Sequence, residues 1–133
     1  MTRARRPIEY EAAAPEVRAV YDDILRTRKT DWINNFWKVL AHDPATLRRV
    51  WGNVKEVMAP GGALDPLVKE LVYFAVSATN GCAYCMASHG AAAEAKGMTP
   101  KQYAELVAII GLANETNRLA TTLAVPIDDR FQD

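Results

Sequence analysis

Three times in this chain a residue suited to capping a helix stands directly before a proline: Asp43-Pro44, Asp65-Pro66 and Thr99-Pro100. A short polar side chain accepts from a free backbone N–H of a first helical turn. Proline fits the position after it, because its missing N–H would have had no partner there. Pro15 suits a first helical position as well. Behind these starts, apolar residues recur at helical spacing. Val17, Val20, Tyr21, Ile24 and Leu25 form one stripe, and Leu47, Val50, Trp51, Val54 and Met58 another. A short helix carrying Ile33, Phe36, Trp37 and Leu40 is expected between them, broken by His42-Asp43-Pro44. Pro60-Gly61-Gly62 ends the third helix. Further helices are expected over residues 67–79, 82–96, 99–110 and 114–123, separated by Asn80-Gly81, Gly97 and Gly111. The helix over 67–79 is apolar nearly all round, with Lys69 and Glu70 its only charges, and such a helix is expected to be central and buried. No stretch alternates as a strand would. The expected fold is an all-α bundle of six to seven helices in one domain spanning 1–133, with a core from 15 to 123 and an irregular tail from Pro126.

Half of the 133 residues are apolar, enough for a core, but a chain this short leaves much of its surface open. Apolar helices in excess of that core favour self-association. Lys+Arg and Asp+Glu both total 16, so the balance is neutral and argues against a nucleic-acid partner. The basic run Arg3, Arg5 and Arg6 reads as a solvated end of the chain. It is followed by Pro7, Glu9 and Glu11 and not by an apolar stretch, so no export signal is expected. The longest apolar run, 71–78, is too short to span a bilayer. The reducing cytoplasm is therefore the expected compartment, and there two closely spaced cysteines are more often redox or metal groups than a permanent staple.

Those cysteines, Cys82 and Cys85, open a helix as a C-x-x-C pair. Free backbone N–H groups and the positive end of the helix dipole stabilise a thiolate there, and the spacing permits a disulfide. His89 follows Cys85 by four residues and shares its helix face, where an imidazole can take a thiol proton. Glu70 precedes the Asn80-Gly81 turn by about as many residues as His89 follows it. At ~1.5 Å per residue an antiparallel hairpin sets the two at one height. A carboxylate on so apolar a helix needs a partner, and bonded to the histidine it would orient the ring.

Other readings stay open at this point. Cys82, Cys85, His89 and either Glu70 or His42 could form a zinc site, although no second cysteine pair exists. The cysteines could form a purely structural link or a non-catalytic redox sensor. Glu70 could pair with Lys69 or another cation. His42 reads as a capping or exposed histidine. Trp32, Trp37 and Trp51 read as core or interface anchors, and Phe36 with Trp37 could line an apolar pocket. No cofactor and no bound metal are expected.

The stretch from Lys69-Glu70-Leu71 through Val76-Ser77-Ala78, Asn80-Gly81-Cys82-Ala83-Tyr84-Cys85 and Ser88-His89 resembles the alkylhydroperoxidase D-like branch of the carboxymuconolactone decarboxylase superfamily. Glutamate, eleven residues, cysteine, two residues, cysteine, three residues and histidine is a specific arrangement, and Gly97-Met98-Thr99-Pro100 continues it. The resemblance runs from about Pro66 to Ile110 and weakens from Pro15 to Met58. It implies an all-helical fold, a homo-oligomer of trimer or hexamer type, and thiol-dependent reduction of organic hydroperoxides or hydrogen peroxide. It implies Cys85 as the attacking thiol, Cys82 as the resolving thiol, and His89 and Glu70 as a proton relay. A dithiol reductant, either a lipoyl group or a thioredoxin-like protein, would complete the cycle. Tyr84 departs from the best-known pattern, which has histidine before the second cysteine. It is left as an accessory residue, with lower turnover or a different reductant implied. The chain also lacks the second helical copy of the long members, which points to oligomerisation. Decarboxylases of the superfamily lack the C-x-x-C, and that counts against a lactone or decarboxylation enzyme.

Overall fold

The computed structural model describes residues 5–132, so Arg3 of the basic run lies outside the described residues. Six α-helices and two short 3-10 turns make up its regular structure, with no strand among the described residues. The chain divides into two compact units after Ala59.

In the first unit, α1 (Pro15–Arg28), α2 (Asn35–Leu40) and α3 (Pro44–Val57) enclose one core. Pro15 and Pro44 occupy first-turn positions, and Asp43 caps α3 by accepting from the Thr46 N–H. Lys29 adopts the left-handed conformation that ends α1. Val17, Tyr21, Ile24, Leu47 and Trp51 are buried together, with Ile33 joining them from just before α2. The Trp37 and Trp51 rings meet edge to face at 5.4 Å, and the Arg28 guanidinium lies over both. Asp23 accepts from Trp51 Nε1 and from Lys55 Nζ, each at 2.7 Å. Those bonds, Lys55 first, hold its carboxyl down at about 2. The segment before α1 is strapped on by Tyr21 Oη donating to the Ile8 carbonyl and by Ile8 N–H donating to the Lys38 carbonyl. His42 is exposed, and its Nε2 meets the Arg6 carbonyl at 2.8 Å. Trp32, by contrast with the other two tryptophans, is 61% exposed and anchors no core.

The second unit contains α4 (Pro66–Thr79), α5 (Ala83–Ala95) and α6 (Pro100–Thr122). Asp65 caps α4, and a reciprocal Thr99–Gln102 capping box opens α6. The α4–α5 hairpin turns at Asn80-Gly81, where Gly81 takes φ +71° and the Cys82 N–H reaches back to the Ser77 carbonyl. Gly90 of α5 faces the Phe74 ring of α4, which a β-carbon there would meet at 3.4 Å, an ordinary contact.

Two sequence expectations are corrected in this unit. Gly111 does not end a helix: α6 runs unbroken to Thr122, so there is no separate element over 114–123. Gly61, Gly81 and Gly97 take positive φ, but Gly111 does not. A glycine inside a helix costs only ~1 kcal/mol when good helix formers surround it and no proline follows. Secondly, α4 is not buried all round. Glu70, Phe74 and Ser77 are its buried residues, while Val68, Val72, Tyr73 and Val76 are exposed. The 23-residue α6 buries none of its side chains and exposes Val107, Ile109, Leu112 and Leu119. No helix of this unit covers these faces.

Candidate active site

The site grows out of the α4–α5 hairpin. Cys82 is the N-cap of α5, and its Sγ accepts from the Cys85 N–H at 3.2 Å. A sulfur fills the place usually taken by a serine or aspartate oxygen, at the positive end of the helix. Cys82 and Cys85 are joined in a disulfide, and both side chains are half-buried.

From Cys85 the helix rises one turn to His89, on the same face. The antiparallel register brings Glu70 of α4 opposite, and His89 Nδ1 meets Glu70 Oε2 at 2.7 Å. The imidazole is also covered on one face by Tyr73, whose ring stacks at 3.6 Å between centroids and 20° between planes. Tyr73 in turn is held within α4, where its carbonyl accepts from Ser77 Oγ at 2.7 Å.

Two residues of this site were not singled out in the sequence: Tyr73 and Lys96. Lys96 Nζ donates to Glu70 Oε1 at 2.9 Å, so the two carboxylate oxygens are divided between an imidazole and an ammonium. The signal for Lys96 was present as a seven-residue step from His89, two turns along one face. The cation that satisfies Glu70 is therefore Lys96 and not its neighbour Lys69. Tyr73 left no distinct signal, because an aromatic residue on an apolar helix reads as packing.

The electrostatics follow from burial. The Glu70 side chain is only 8% exposed. Burial pushes its carboxyl up, but the hydrogen bonds and charges of His89 and Lys96 outweigh that and hold it below the usual carboxylate value. An ionised Glu70 can only accept, so the proton of the neutral imidazole sits on Nδ1. Nε2 is left with a free lone pair, able to take a proton.

Tyr84 is exposed, and helical geometry sets it about 140° around α5 from His89. A groove of about 400 Å³ lies along the neighbouring face of α5, between Phe74, Met86, Gly90, Met98 and Tyr103. Neither cysteine lines it. Trp37 is core in the first unit and Phe36 is exposed there, packed edge-on against it. As for a metal, both sulfurs are bonded to each other and the carboxylate to a cation and an imidazole. No group of three or more His, Cys, Asp or Glu side chains among the described residues is arranged to hold one.

Residues 44–128 match the carboxymuconolactone decarboxylase family. No protein of curated function matches the chain. The crystal structure of the alkylhydroperoxidase AhpD core from Rhodospirillum rubrum is similar over all of this chain and 98% of that one, with 53% identity and a TM-score of 0.93.

Proposed function

The chain belongs to the carboxymuconolactone decarboxylase family, in its alkylhydroperoxidase D-like branch, and from that premise we propose that it is a thiol-dependent peroxidase. The observation that carries this is the Cys82–Cys85 disulfide at the head of α5, on whose face the Glu70-bonded His89 stands one turn on. In the reduced protein, His89 Nε2 takes the Cys85 proton. The thiolate attacks one peroxide oxygen and the O–O bond breaks. Cys85 becomes a sulfenic acid, and the departing alkoxide takes the proton from His89 to leave as an alcohol, or as water when the substrate is hydrogen peroxide. Cys82 then attacks the sulfenic sulfur, hydroxide leaves as water with the Cys82 proton, and the disulfide forms. A dithiol reductant, a lipoyl group or a thioredoxin-like protein, supplies two electrons and two protons and is itself oxidised to a disulfide. Glu70 keeps the imidazole oriented and offsets its charge while it carries the proton.

The working form is a homo-oligomer, a trimer or hexamer. The uncovered apolar residues of α4 and α6 support this, since a second copy would cover what one chain cannot. The cytoplasm is the proposed compartment, because the cycle needs a standing supply of reduced dithiol. No helix among the described residues is long and apolar enough to cross a membrane.

The test is peroxide consumption with a dithiol reductant in the parent, Cys85→Ser and Cys82→Ser. Turnover in the parent alone is expected, with at most one oxidation per chain in Cys82→Ser. Equal rates in all three end the proposal. Turnover of a lactone that survives alkylation of both cysteines would put a decarboxylase-type reaction in its place.

A further inference from the structure

We propose that Lys96 is a positioning residue for this thiol chemistry: by holding Oε1 of Glu70 it keeps that carboxylate ionised and turned so that Oε2 fixes His89 with Nε2 unprotonated. The inference rests on the thiol reading of the site and adds to it a group outside the cysteine–histidine–glutamate constellation.

The geometry makes the case. Glu70 is buried on an apolar helix, and a buried carboxyl with one neutral partner tends to keep its proton. A protonated Glu70 would donate to Nδ1 of the imidazole. The ring proton would then sit on Nε2, and the histidine could not accept a proton from a thiol. The Lys96 ammonium on Oε1 removes that outcome, at 2.9 Å on the far side of the carboxylate from His89. Lys96 is well placed for this, because the helix stops there. It is the C-cap of α5, followed by Gly97 at φ +91°, and a cation is favoured at that end of the helix dipole. The helix thus has a sulfur at its positive end, an ammonium at its negative end, and the imidazole between them. The groups acting on Glu70 are His89 and Lys96 of α5, and Tyr73 of α4 stacks on the imidazole. From α6, the Tyr103 ring meets Phe74.

A neighbouring cation repels protons from the whole cluster. Without the Lys96 charge, Glu70 holds its proton to higher pH, and a contact of this kind moves a carboxyl by about one to three pH units. Lys96 stands eleven residues from Cys85, ~16 Å along the helix axis, so its influence reaches the thiol through Glu70 and His89. The experiment is the pH profile of Cys85 alkylation by iodoacetamide in the reduced full-length protein, mapped by peptide mass spectrometry. This readout does not depend on peroxide turnover, so the inference and the peroxidase proposal fail separately. For Lys96→Met the acid limb is expected to move to higher pH, and Lys96→Arg is expected to keep the parental profile. A Lys96→Met profile that overlays the parent's, with only the melting temperature lowered, makes Lys96 a structural residue and overturns the proposal. If Lys96→Met does not fold, Lys96→Gln replaces it under the same criteria. The unmutated protein gives an independent check by carboxyl ¹³C NMR, with the Glu70 signal assigned from Glu70→Gln. Glu70 is expected to stay ionised below the ordinary glutamate range, and titration at or above that range refutes the idea.

Discussion

The two units of this chain use apolar residues in opposite ways. The first closes them inward: Tyr21, Ile24 and Leu47 are fully buried, and Trp37 and Trp51 seal the core with their edges. The second leaves them open. Its longest helix buries nothing, and the buried side chains of α4 include a carboxylate and a hydroxyl. The comparison teaches where chemistry is tolerated. A carboxylate, an imidazole, an ammonium and two cysteines fit in the unit whose helices are not committed to one closed core. The stability of the other unit rests on packing.

Four variants test that contrast. Trp37→Ala removes a ring that is 3% exposed and in contact with Trp51, and should cost about 3–5 kcal/mol in chemical denaturation. A loss below about 1 kcal/mol would mean the first unit is not sealed as described. Next, Ile109→Lys with Leu112→Lys puts charge on side chains that are 63% and 62% exposed on α6. If a second copy covers them, sedimentation should show the oligomer breaking down, since burying unpaired charges at an interface costs several kcal/mol. An unchanged sedimentation coefficient would place the subunit contact elsewhere. His89→Ala should slow Cys85 oxidation by peroxide about 100-fold or more, alongside the modest loss of stability expected when Glu70 Oε2 gives up its partner. A loss of stability with an unchanged oxidation rate would make the histidine a packing residue.

The smallest effect is a pH dependence in the first unit. Asp23 titrates at about 2 when folded, against an ordinary value of 3.8, because Lys55 and then Trp51 donate to it. A lowered folded value means the contribution is present above the ordinary value and fades as pH falls toward 2. Asp23→Asn should therefore flatten the acid limb of stability in that window, seen in thermal melts against pH. Parallel acid limbs for parent and variant would remove Asp23 from the account.

Much of this architecture could be read from local chemistry. The capped prolines at 43–44, 65–66 and 99–100 mark helix starts, because both residues act within one turn. Glycine was a less certain marker. Gly97 ends a helix and Gly111 does not, and what separates them is whether the backbone turns left-handed, which depends on the residues that follow. The Glu70–His89 pairing was legible because a hairpin with a two-residue turn fixes the register of everything along it. Lys96 and Tyr73 were harder to find for the reverse reason. A lysine at a helix end and an aromatic on an apolar helix have ordinary explanations, and only the fold shows what they touch. The expectation of a buried α4 failed because apolar periodicity reports that a face needs covering, not that the same chain covers it.

The most direct measurement is a free-thiol count on the reduced protein after one equivalent of hydroperoxide. The account predicts that both thiols of each chain disappear together and return on addition of a dithiol, while Cys85→Ser keeps its remaining thiol. Two thiols that persist in the parent, or a single thiol lost beyond recovery by the dithiol, would contradict it.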